Sequence, residues 1–342
     1  MGAIKRALRA LACLFGAHVV ARWYHRRHLL IVNYHGLRTD ESQRRAWLLL
    51  PRGAFAAQLD YLAAHYRVVP LDAALNELWS TGLRAPTASI TFDDGYRNNM
   101  TIGLPELTRR GFASTIYLPT GLVGTAGRLW TTELQLLIER TRATSVDLSA
   151  IGLGVRSLGT QRERAATTFD ANEALKRLPR AERVRAIDDI RVALGAVAAD
   201  DDGAFAILDW DEIREMSATG LVTFGGHTVH HEILSRLSDQ DVSSEVAGSV
   251  SATLALGTGA SSTFAYPNGR WRDFDPRAVA ALRSAGCSAA VTTVSGLNAP
   301  DTERYALRRI VVGDRMSLAD FKLKTSGFTS ALRRVLGLPL DA

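Results

Sequence analysis

The sequence predicts a distorted (β/α) barrel of mainly parallel strands that carries one helical insertion. Short apolar runs alternate with segments of helical periodicity along most of the 342 residues, a pattern typical of parallel strands joined by helices. Barrels of this length commonly fold as one unit. Polar motifs follow several of the apolar runs, and they would meet at the carboxyl ends of the strands, where such barrels place their active sites.

Eight apolar runs are predicted to be strands. They span residues 29–34, 66–69, 88–92, 113–118, 221–224, 263–266, 288–292 and 309–312. Helical spacing between them is marked by Phe55, Leu59 and Leu62, and by Val242, Val246 and Val250. The second of these helices is expected to begin at Ser238, which forms a capping pair with Asp241.

We divide the chain into an N-terminal amphipathic segment at 1–28, the barrel at 29–322 and a C-terminal tail at 323–342. An insertion at about 125–206 interrupts the strand and helix alternation. It is rich in Arg, Ala and Glu, has a helical pattern from Leu175 to Leu194, and ends in an acidic loop at 200–203. Two interpretations are open: a solvated helical excursion packed on the side of the barrel, or a lid or substrate platform beside the site.

The N-terminal segment has three possible roles. Its apolar residues recur at helical spacing and its cations lie largely elsewhere, as in a helix at a membrane interface: Leu8, Leu11, Leu14, Phe15 and Val19. The same pattern suits a helix that packs on the bottom of the barrel, and a signal for export is the third interpretation. The apolar stretch is too short to cross a bilayer. We expect a cytoplasmic protein with peripheral contact at the inner membrane face, and favour export less.

Bulk composition excludes several classes of protein. Cys13 and Cys287 are far apart and lack C-x-x-C spacing, so neither a disulfide framework nor a cysteine metal site is indicated. The net charge is +6, but the basic residues are spread along the chain without interleaved aromatic residues, which argues against nucleic-acid binding. Attraction to an anionic membrane surface or to acidic glycans fits this charge at least as well.

Two distant segments together predict a metal site. Asp93 and Asp94 follow the strand at 88–92, and Gly95 lets the chain turn sharply there. His227 and His231 are four residues apart, so one helical turn would place both rings on one face. One aspartate and two histidines suit Zn²⁺ or a similar divalent ion and leave a coordination position for water or substrate.

Two further histidines lie near these motifs. His230 would point away from the face that His227 and His231 share, so we take it for a bystander. His35 follows the first predicted strand, and a catalytic role and a packing role are both open for it.

These motifs resemble those of the polysaccharide deacetylases, the NodB-homology domain of carbohydrate esterase family four. The resemblance covers roughly residues 29–315 apart from the insertion. Its segments are Thr91-Phe92-Asp93-Asp94-Gly95, His227 to His231, the opening strand at 30–36, Phe264-Ala265-Tyr266-Pro267-Asn268-Gly269, and the closing strand at 305–310. Either main motif alone is a weak signal, whereas the pair in this order is strong.

The resemblance implies a mechanism and assigns residues to it. Asp94, His227 and His231 would hold the metal, and Asp93 would act as general base on the attacking water. The backbone N–H of Asn268 would help to bind the oxyanion. The partner implied is an N-acetylated glycan, in a polysaccharide such as an exopolysaccharide or in a lipid-linked precursor.

The sequence departs from the family at two positions. Arg309 stands where many members have a histidine that protonates the leaving amine, and Ala265 stands where an arginine is usual. An arginine cannot act as a general acid near neutral pH. One interpretation is that Arg309 pairs with Asp93 and lowers its pKa, while His35 donates the proton. The other is that protonated Asp93 returns its proton to the amine.

The predicted function is therefore metal-dependent removal of an N-acetyl group from an amino sugar. The alternatives are a deformylase or de-N-acylase of a small sugar conjugate, and a glycan-binding protein that keeps the barrel without turnover. The metal ligands and the base argue against the last alternative, whereas the missing histidine and arginine keep it open.

Overall fold

The computed structural model describes residues 11–42, 46–195, 203–335 and 337. Its strands are β1 (Leu29–Tyr34), β2 (Gly36–Arg38), β3 (Leu49–Pro51), β4 (Arg67–Val68), β5 (Thr87–Phe92), β6 (Ser114–Leu118), β7 (Ser145–Asp147), β8 (Val155–Ser157), β9 (Val222–Gly226), β10 (Ala260–Ala265), β11 (Ala289–Val291) and β12 (Ile310–Val311).

The α-helices alternate with these strands over most of the chain. They are α1 (Ala17–Tyr24), α2 (Arg52–His65), α3 (Leu71–Ser80), α4 (Leu104–Thr108), α5 (Trp130–Arg140), α6 (Gln161–Leu175), α7 (Arg180–Ala193), α8 (Trp210–Ala218), α9 (Asp239–Leu254), α10 (Pro276–Ser284), α11 (Leu318–Thr325) and α12 (Phe328–Val335). A π-helix at Asn99–Gly103 leads into α4, and single 3₁₀ turns lie at Ser149–Ile151, Leu234–Arg236, Gly257–Gly259 and Arg304–Ala306.

Parallel strands form one sheet in the order β11-β10-β9-β6-β5-β1-β12, and β4 pairs with the first two residues of β5. The segment before β12 closes this sheet on itself. The Leu307 N–H donates to the Ala290 carbonyl at 3.0 Å, and the Thr292 N–H donates to the Leu307 carbonyl at 2.8 Å. The predicted distorted barrel of parallel strands is confirmed.

All eight predicted strands are present, and β1 has the predicted bounds. The largest differences are in β10, which begins three residues earlier than predicted, at Ala260, and in β9, which continues two residues further, through Gly225 and Gly226. Both glycines are needed for packing: a Cβ on Gly225 would lie 2.5 Å from the Thr263 carbonyl oxygen, and one on Gly226 would lie 2.8 Å from the Ser249 hydroxyl. The strand therefore extends past its last apolar side chain because β10 and α9 approach its backbone closely.

The barrel core explains why these runs form strands. All six residues of β1 and of β5 are buried, as expected for parallel strands covered on both faces. Helix α9 begins as predicted, since the Ser238 hydroxyl accepts from the Asp241 N–H at 3.2 Å. Its residues Val242, Val246 and Val250 are buried against the sheet.

The insertion has an apolar core of its own. Side chains of α5, α6 and α7 and of the antiparallel β7–β8 pair form it: Leu134, Leu137, Ile138, Val146, Leu148, Leu158, Ala171, Leu175, Ala186, Ile187, Ile190 and Leu194. The predicted helix from Leu175 to Leu194 is wrong at its start. Residue 175 ends α6, and α7 begins at Arg180 after Pro179, because proline fits the start of a helix and not its interior. Of the predicted acidic loop, residues 200–202 lie outside the described residues.

Both ends of the described chain meet at the bottom of the barrel, opposite the carboxyl ends of the strands. Helix α1 leads into the start of β1, and α11 runs back from the end of β12. The predicted boundary at 322 falls inside α11, so the structure has no break between barrel and tail there. Within the described part of the chain, no helix is both long and apolar enough to span a membrane.

Candidate active site

Asp94, His227 and His231 converge at the carboxyl end of the barrel. One potential ligand atom from each lies within 4.8 Å of the others, and all three side chains are buried. Nε2 of His227 is 3.6 Å from the Asp94 Oδ1 atom, and Nε2 of His231 is 3.4 Å from the same oxygen. The structure thus brings together the three residues that the sequence predicts as metal ligands.

The backbone that carries these ligands is in an unusual conformation. Asp94 has a φ of 75° and His231 a φ of 58°, both in the left-handed region that L-residues rarely adopt. Gly95 follows with a φ of 63°, as predicted for a sharp turn after β5. Such conformations cost free energy and persist where the surrounding structure fixes them, which is common at functional sites.

The predicted helical turn at 227–231 is wrong. Residues 227–233 form an irregular loop after β9, and Thr228 also has a positive φ of 61°. Two left-handed residues reverse the direction of the loop, so the two imidazoles meet without a helix. Their ring centroids are 4.8 Å apart.

The ligand cluster has the orientation that a divalent metal requires. The His227 Nδ1 atom lies 2.7 Å from the Ala265 carbonyl oxygen, which can only accept, so Nδ1 carries the proton and Nε2 keeps its lone pair. A carbonyl that orients a ligating histidine in this way is typical of metal sites. Nδ1 of His231 is buried without a hydrogen-bond partner among the described residues. The donor set and its orientation fit a borderline divalent ion.

Asp93 has different partners from Asp94. Arg309 donates to both of its carboxylate oxygens, from Nη1 to Oδ1 at 2.8 Å and from Nη2 to Oδ2 at 2.7 Å. The Asn33 amide adds a hydrogen bond to Oδ2 at 2.9 Å. The guanidinium is itself held by the Thr292 carbonyl at 2.7 Å and is fully buried. The predicted pairing of Arg309 with Asp93 is present.

These contacts determine the charge of Asp93. Burial by itself raises the pKa of this carboxyl, but the charge and hydrogen bonds of Arg309, together with the charges of His227 and His35, outweigh burial and hold the pKa well below its usual range. The pKa of Asp94 is also lowered; burial opposes this shift, and the hydrogen bond and charge of His227 and His231 produce it. Both aspartates are therefore ionised at neutral pH.

His35 is buried beside Asp93. Its Nε2 atom is 3.9 Å from the Asp93 Oδ2 atom, and its Nδ1 atom has no hydrogen-bond partner among the described residues. Burial lowers the pKa of His35, with the charges of Asp94 and Asp93 acting in the opposite sense. The indole of Trp47 packs edge-on against the ring at 5.4 Å between centroids. The His35 ring is therefore neutral at pH 7, and it lies slightly beyond hydrogen-bond distance of Asp93.

Asn268 follows β10, the strand whose end orients His227. Its φ of 56° is in the left-handed region, and its carbonyl accepts a hydrogen bond from the Thr293 hydroxyl. Its side-chain Nδ2 atom is buried and has no partner in the described part of the protein. An unpaired buried donor of this kind is costly unless water or a ligand satisfies it.

His230 is separate from the ligand cluster. Its Nδ1 atom lies 2.6 Å from Glu245, and the other oxygen of Glu245 accepts from the backbone N–H groups of Val229 and His230 at 2.9 Å each. Glu245 on α9 thereby fixes the loop that carries the two ligand histidines. His230 lies outside the cluster, as predicted, although the geometry is that of a loop.

Sequence analysis did not identify two groups that support the site. Asn33 is a polar residue near the carboxyl end of an otherwise apolar strand, and that interruption was the available signal. Arg183 on α7 forms an ion pair with Glu232, the residue after His231, and both side chains are 4% exposed. This pair joins the insertion to the loop of the site, but no spacing in the sequence connects residues 49 positions apart.

The polysaccharide deacetylase family matches residues 81–290, which is more than half of the chain. The matched range contains β5 with both aspartates and the loop with both ligand histidines. No curated protein matches the sequence significantly.

Several solved structures are similar in fold. The Streptococcus pyogenes deacetylase PplD, solved in complex with acetate, aligns with a TM-score of 0.58 and 17% identity over 88% of this chain and 99% of its own. IcaB from Ammonifex degensii aligns with a TM-score of 0.54 and 19% identity over 88% of this chain and 97% of its own. BC0361, a polysaccharide deacetylase from Bacillus cereus, aligns with a TM-score of 0.55 and 16% identity over 88% and 69% of the two chains.

Proposed function

This chain belongs to the polysaccharide deacetylase family, and we propose that it is a metal-dependent enzyme that removes N-acetyl groups from amino sugars in a glycan. Family membership makes it a hydrolase of carbon–nitrogen bonds other than peptide bonds. Beyond family membership, we propose the metal dependence of the reaction, the residues that carry it out, and an N-acetylated glycan as its substrate. The observation that carries it is the pair of adjacent buried aspartates, one facing two histidines and the other facing an arginine.

Asp94, His227 and His231 are the proposed metal ligands. When bound there, an ion such as Zn²⁺ would lower the pKa of a water molecule and polarise the acyl oxygen of the substrate. The Ala265 carbonyl keeps the Nε2 lone pair of His227 directed toward the cluster. Ionised Asp94 supplies the negative charge that a divalent cation requires.

Asp93 is the proposed general base. It accepts a proton from the water that attacks the acyl carbon, and Arg309 and Asn33 hold the carboxylate in place for that transfer. The bidentate ion pair keeps Asp93 ionised at rest, so the base is in its reactive form over a wide pH range. A low pKa makes the carboxylate a weak base, and the same low pKa makes its protonated form a strong acid.

The leaving amine needs a proton as the C–N bond breaks. Because burial lowers the pKa of His35, its ring is neutral at rest, and any proton it donates must first arrive during the reaction. Asp93 is the nearest source, at 3.9 Å. The proton therefore passes from water to Asp93 and then to the amine, either through His35 or directly, and both routes stay open.

The backbone N–H of Asn268 is the proposed oxyanion donor. Asn268 has a positive φ and lies just after the carboxyl end of β10. The last residue of that strand, Ala265, is the one whose carbonyl orients His227. The orphaned Nδ2 atom of Asn268 is a second donor available to a bound acyl group or a sugar hydroxyl. Donors fixed in advance stabilise the developing negative charge without reorganisation.

A panel of N-acylated amino sugars, from monosaccharides to polymers, tests the proposal. Purified protein loaded with Zn²⁺ should release acetate from an N-acetylhexosamine polymer, and a chelator should stop the release. Formate release from N-formyl sugars without acetate release would indicate a deformylase. If the protein retains the polymer on a column but releases neither acid with any divalent metal, it is a glycan-binding protein and the enzymatic proposal fails.

A further inference from the structure

Helix α1, at the N-terminal end of the described chain, exposes its apolar face to solvent and packs its more polar face against the barrel. Val19, Val20, Trp23 and Tyr24 share one face of α1, and that face is exposed. The opposite face, with His18, Ala21, Arg22 and His25, lies against the barrel. Surface helices of globular proteins bury their apolar face instead.

Polar contacts hold α1 in this orientation. Arg22 donates to the Tyr61 hydroxyl at 2.9 Å, and the His18 ring packs near the same tyrosine. His25 Nδ1 lies 3.1 Å from the Ser326 carbonyl oxygen. A Cβ on Gly327 would lie 2.7 Å from the His25 ring, so the chain approaches α1 closely there. The orientation is therefore built into the packing between the two ends of the chain.

The C-terminal helices extend the same surface. Phe321 of α11 is fully buried in the barrel core and anchors this region, while Leu332 and Val335 of α12 are exposed. We call the combined surface of α1, the turn before it and α12 the basal face. Its largest exposed apolar side chains are between 64% and 83% exposed: Leu14, Phe15, Val20, Trp23, Tyr24 and Val335.

The charge of the basal face has one sign. Residues 11–28 contain three Arg and α12 contains two Arg, and neither segment contains Asp or Glu, whereas the neighbouring α11 has two Lys and one acid, Asp320. Arg26 lies over the Trp23 ring at 4.7 Å, so cations and exposed aromatic rings are interleaved. Leu, Phe and Trp together with Arg and Lys are the composition of helices that bind in the headgroup region of membranes, where Trp and Tyr are enriched.

We infer that the basal face docks the protein on a bilayer that contains anionic lipids. A second copy of the chain fits this face poorly, because a two-fold interface would bring the same five cations of residues 11–28 and α12 together, and these segments contain no acid. Residues 1–10 add Lys5, Arg6 and Arg9 and no acid, and residues 336–342 add one acid, Asp341, so the surplus of cations remains. Anionic headgroups supply the missing charge, and the acyl region accepts the apolar side chains.

The docked orientation has a consequence that rests on the proposed function. The basal face lies at the start of β1, whereas Asp93 and Asp94 lie at the carboxyl end of the adjacent β5. Six residues of strand separate the two ends by on the order of 20 Å. The site of the docked enzyme therefore faces the aqueous phase. This favours a glycan that extends into solution over a sugar attached directly to a lipid at the membrane surface.

Sedimentation of the full chain with lipid vesicles tests the docking. The protein should sediment with vesicles of phosphatidylcholine and phosphatidylglycerol, and much less with phosphatidylcholine alone, with the difference shrinking as salt is added. The triple variant F15S/V20S/W23S should lose about tenfold or more in vesicle affinity, because three apolar side chains leave the acyl boundary. The change of Arg27 and Arg334 to Gln should weaken binding to anionic vesicles only.

A matched control uses exposed apolar residues of the insertion. The variant V155S/F169S/V192S removes three side chains that are at least 64% exposed and lie on β8, α6 and α7 of the insertion, outside the basal face, and its vesicle binding should equal that of the unaltered chain. Circular dichroism of both triple variants verifies that they are folded. Vesicle binding is measured without turnover, so its failure is distinct from failure of the proposed deacetylation.

Three outcomes would overturn the inference. The full chain could fail to bind anionic vesicles at low salt, or the control triple variant could lose as much binding as the basal-face variant. The third is a dimer in solution that F15S/V20S/W23S converts to monomer while vesicle binding is absent, which would make the basal face an interface between two copies.

Discussion

Asp93 and Asp94 are neighbours in the chain, and both are buried, yet they lie in two different environments. Asp93 faces Arg309, the residue before β12, and Asn33 of β1, and these two side chains donate to its oxygens. Asp94 faces the loop after β9, where its nearest charged groups are two histidines. The first environment pairs the carboxylate with three hydrogen bonds from protein side chains and leaves it one further acceptor site. The second leaves a cluster of donor atoms that only a cation would satisfy, so burial and sequence adjacency do not decide the role of a carboxylate.

The positive φ of Asp94 produces this difference. Residue 93 ends the regular strand, and its N–H still donates to the Tyr34 carbonyl of the neighbouring strand at 3.0 Å. At Asp94 the backbone turns to a φ of 75°, and the Asp94 side chain faces His227 and His231 instead of Arg309. Two adjacent acids at a strand end thereby meet different partners.

The largest effect is expected from Asp93→Asn. The amide cannot accept a proton from water, so turnover should fall by about 10²- to 10⁴-fold, the usual contribution of a positioned general base. The single amide oxygen of Asn can still accept from Arg309 and Asn33, but the buried guanidinium loses its countercharge, so the variant should be less stable. Chemical denaturation verifies that it is folded under the assay conditions. The measurement is kcat for acetate release with saturating metal. A loss of less than about fivefold would remove Asp93 from the proton transfer.

Arg309→Met should destabilise the protein and shift its pH profile. It leaves Asp93 as an unpaired buried charge, which typically costs about 3–5 kcal/mol. Without the guanidinium the pKa of Asp93 rises, so the acid limb of kcat/KM should move to higher pH. Chemical denaturation and a pH series of kcat/KM measure the two effects.

The adjacent Arg308 provides a matched control, since it is partly exposed and has no contact with Asp93. Arg308→Met should change the free energy of unfolding by no more than about 1 kcal/mol. It should leave the acid limb of the kcat/KM profile where it is. In the unaltered protein, the folded pKa of Asp93 is depressed, so the stabilisation from the pair is complete above the unfolded pKa of about 3.9 and is lost as pH falls through the folded pKa. Equal effects of the two Arg substitutions would contradict the special role of Arg309.

A smaller and more selective effect is expected from His35→Ala. If His35 carries the proton to the amine, kcat/KM should fall about tenfold or more on amide substrates relative to acetate esters of good leaving groups, whose departing oxygen scarcely needs protonation. The measurement is the ratio of amide to ester kcat/KM. An unchanged ratio would leave the proton with Asp93 and assign His35 to packing against Trp47.

The sequence predicts more of the barrel than of the site's surroundings. Buried parallel strands are continuous apolar runs, so local composition locates them, and parallel strand ends necessarily meet at one edge. The pairing of Arg309 with Asp93 could be predicted from an arginine in place of a histidine. The loop at 227–231 could not, because its shape depends on left-handed residues and on Glu245 of α9, whereas i, i+4 spacing suggests a helix. The Arg183–Glu232 pair joins two segments whose distance in sequence carries no signal.

Metal content of Asp94→Asn and Asp93→Asn, measured side by side, tests the central claim that these two carboxylates have separate roles. After identical purification and dialysis against Zn²⁺, Asp93→Asn should retain about one metal per chain, as the unaltered protein does. Asp94→Asn should retain far less, because two histidines without the carboxylate hold Zn²⁺ poorly. Equal retention or equal loss of metal in the two variants would contradict the division of roles between Asp93 and Asp94.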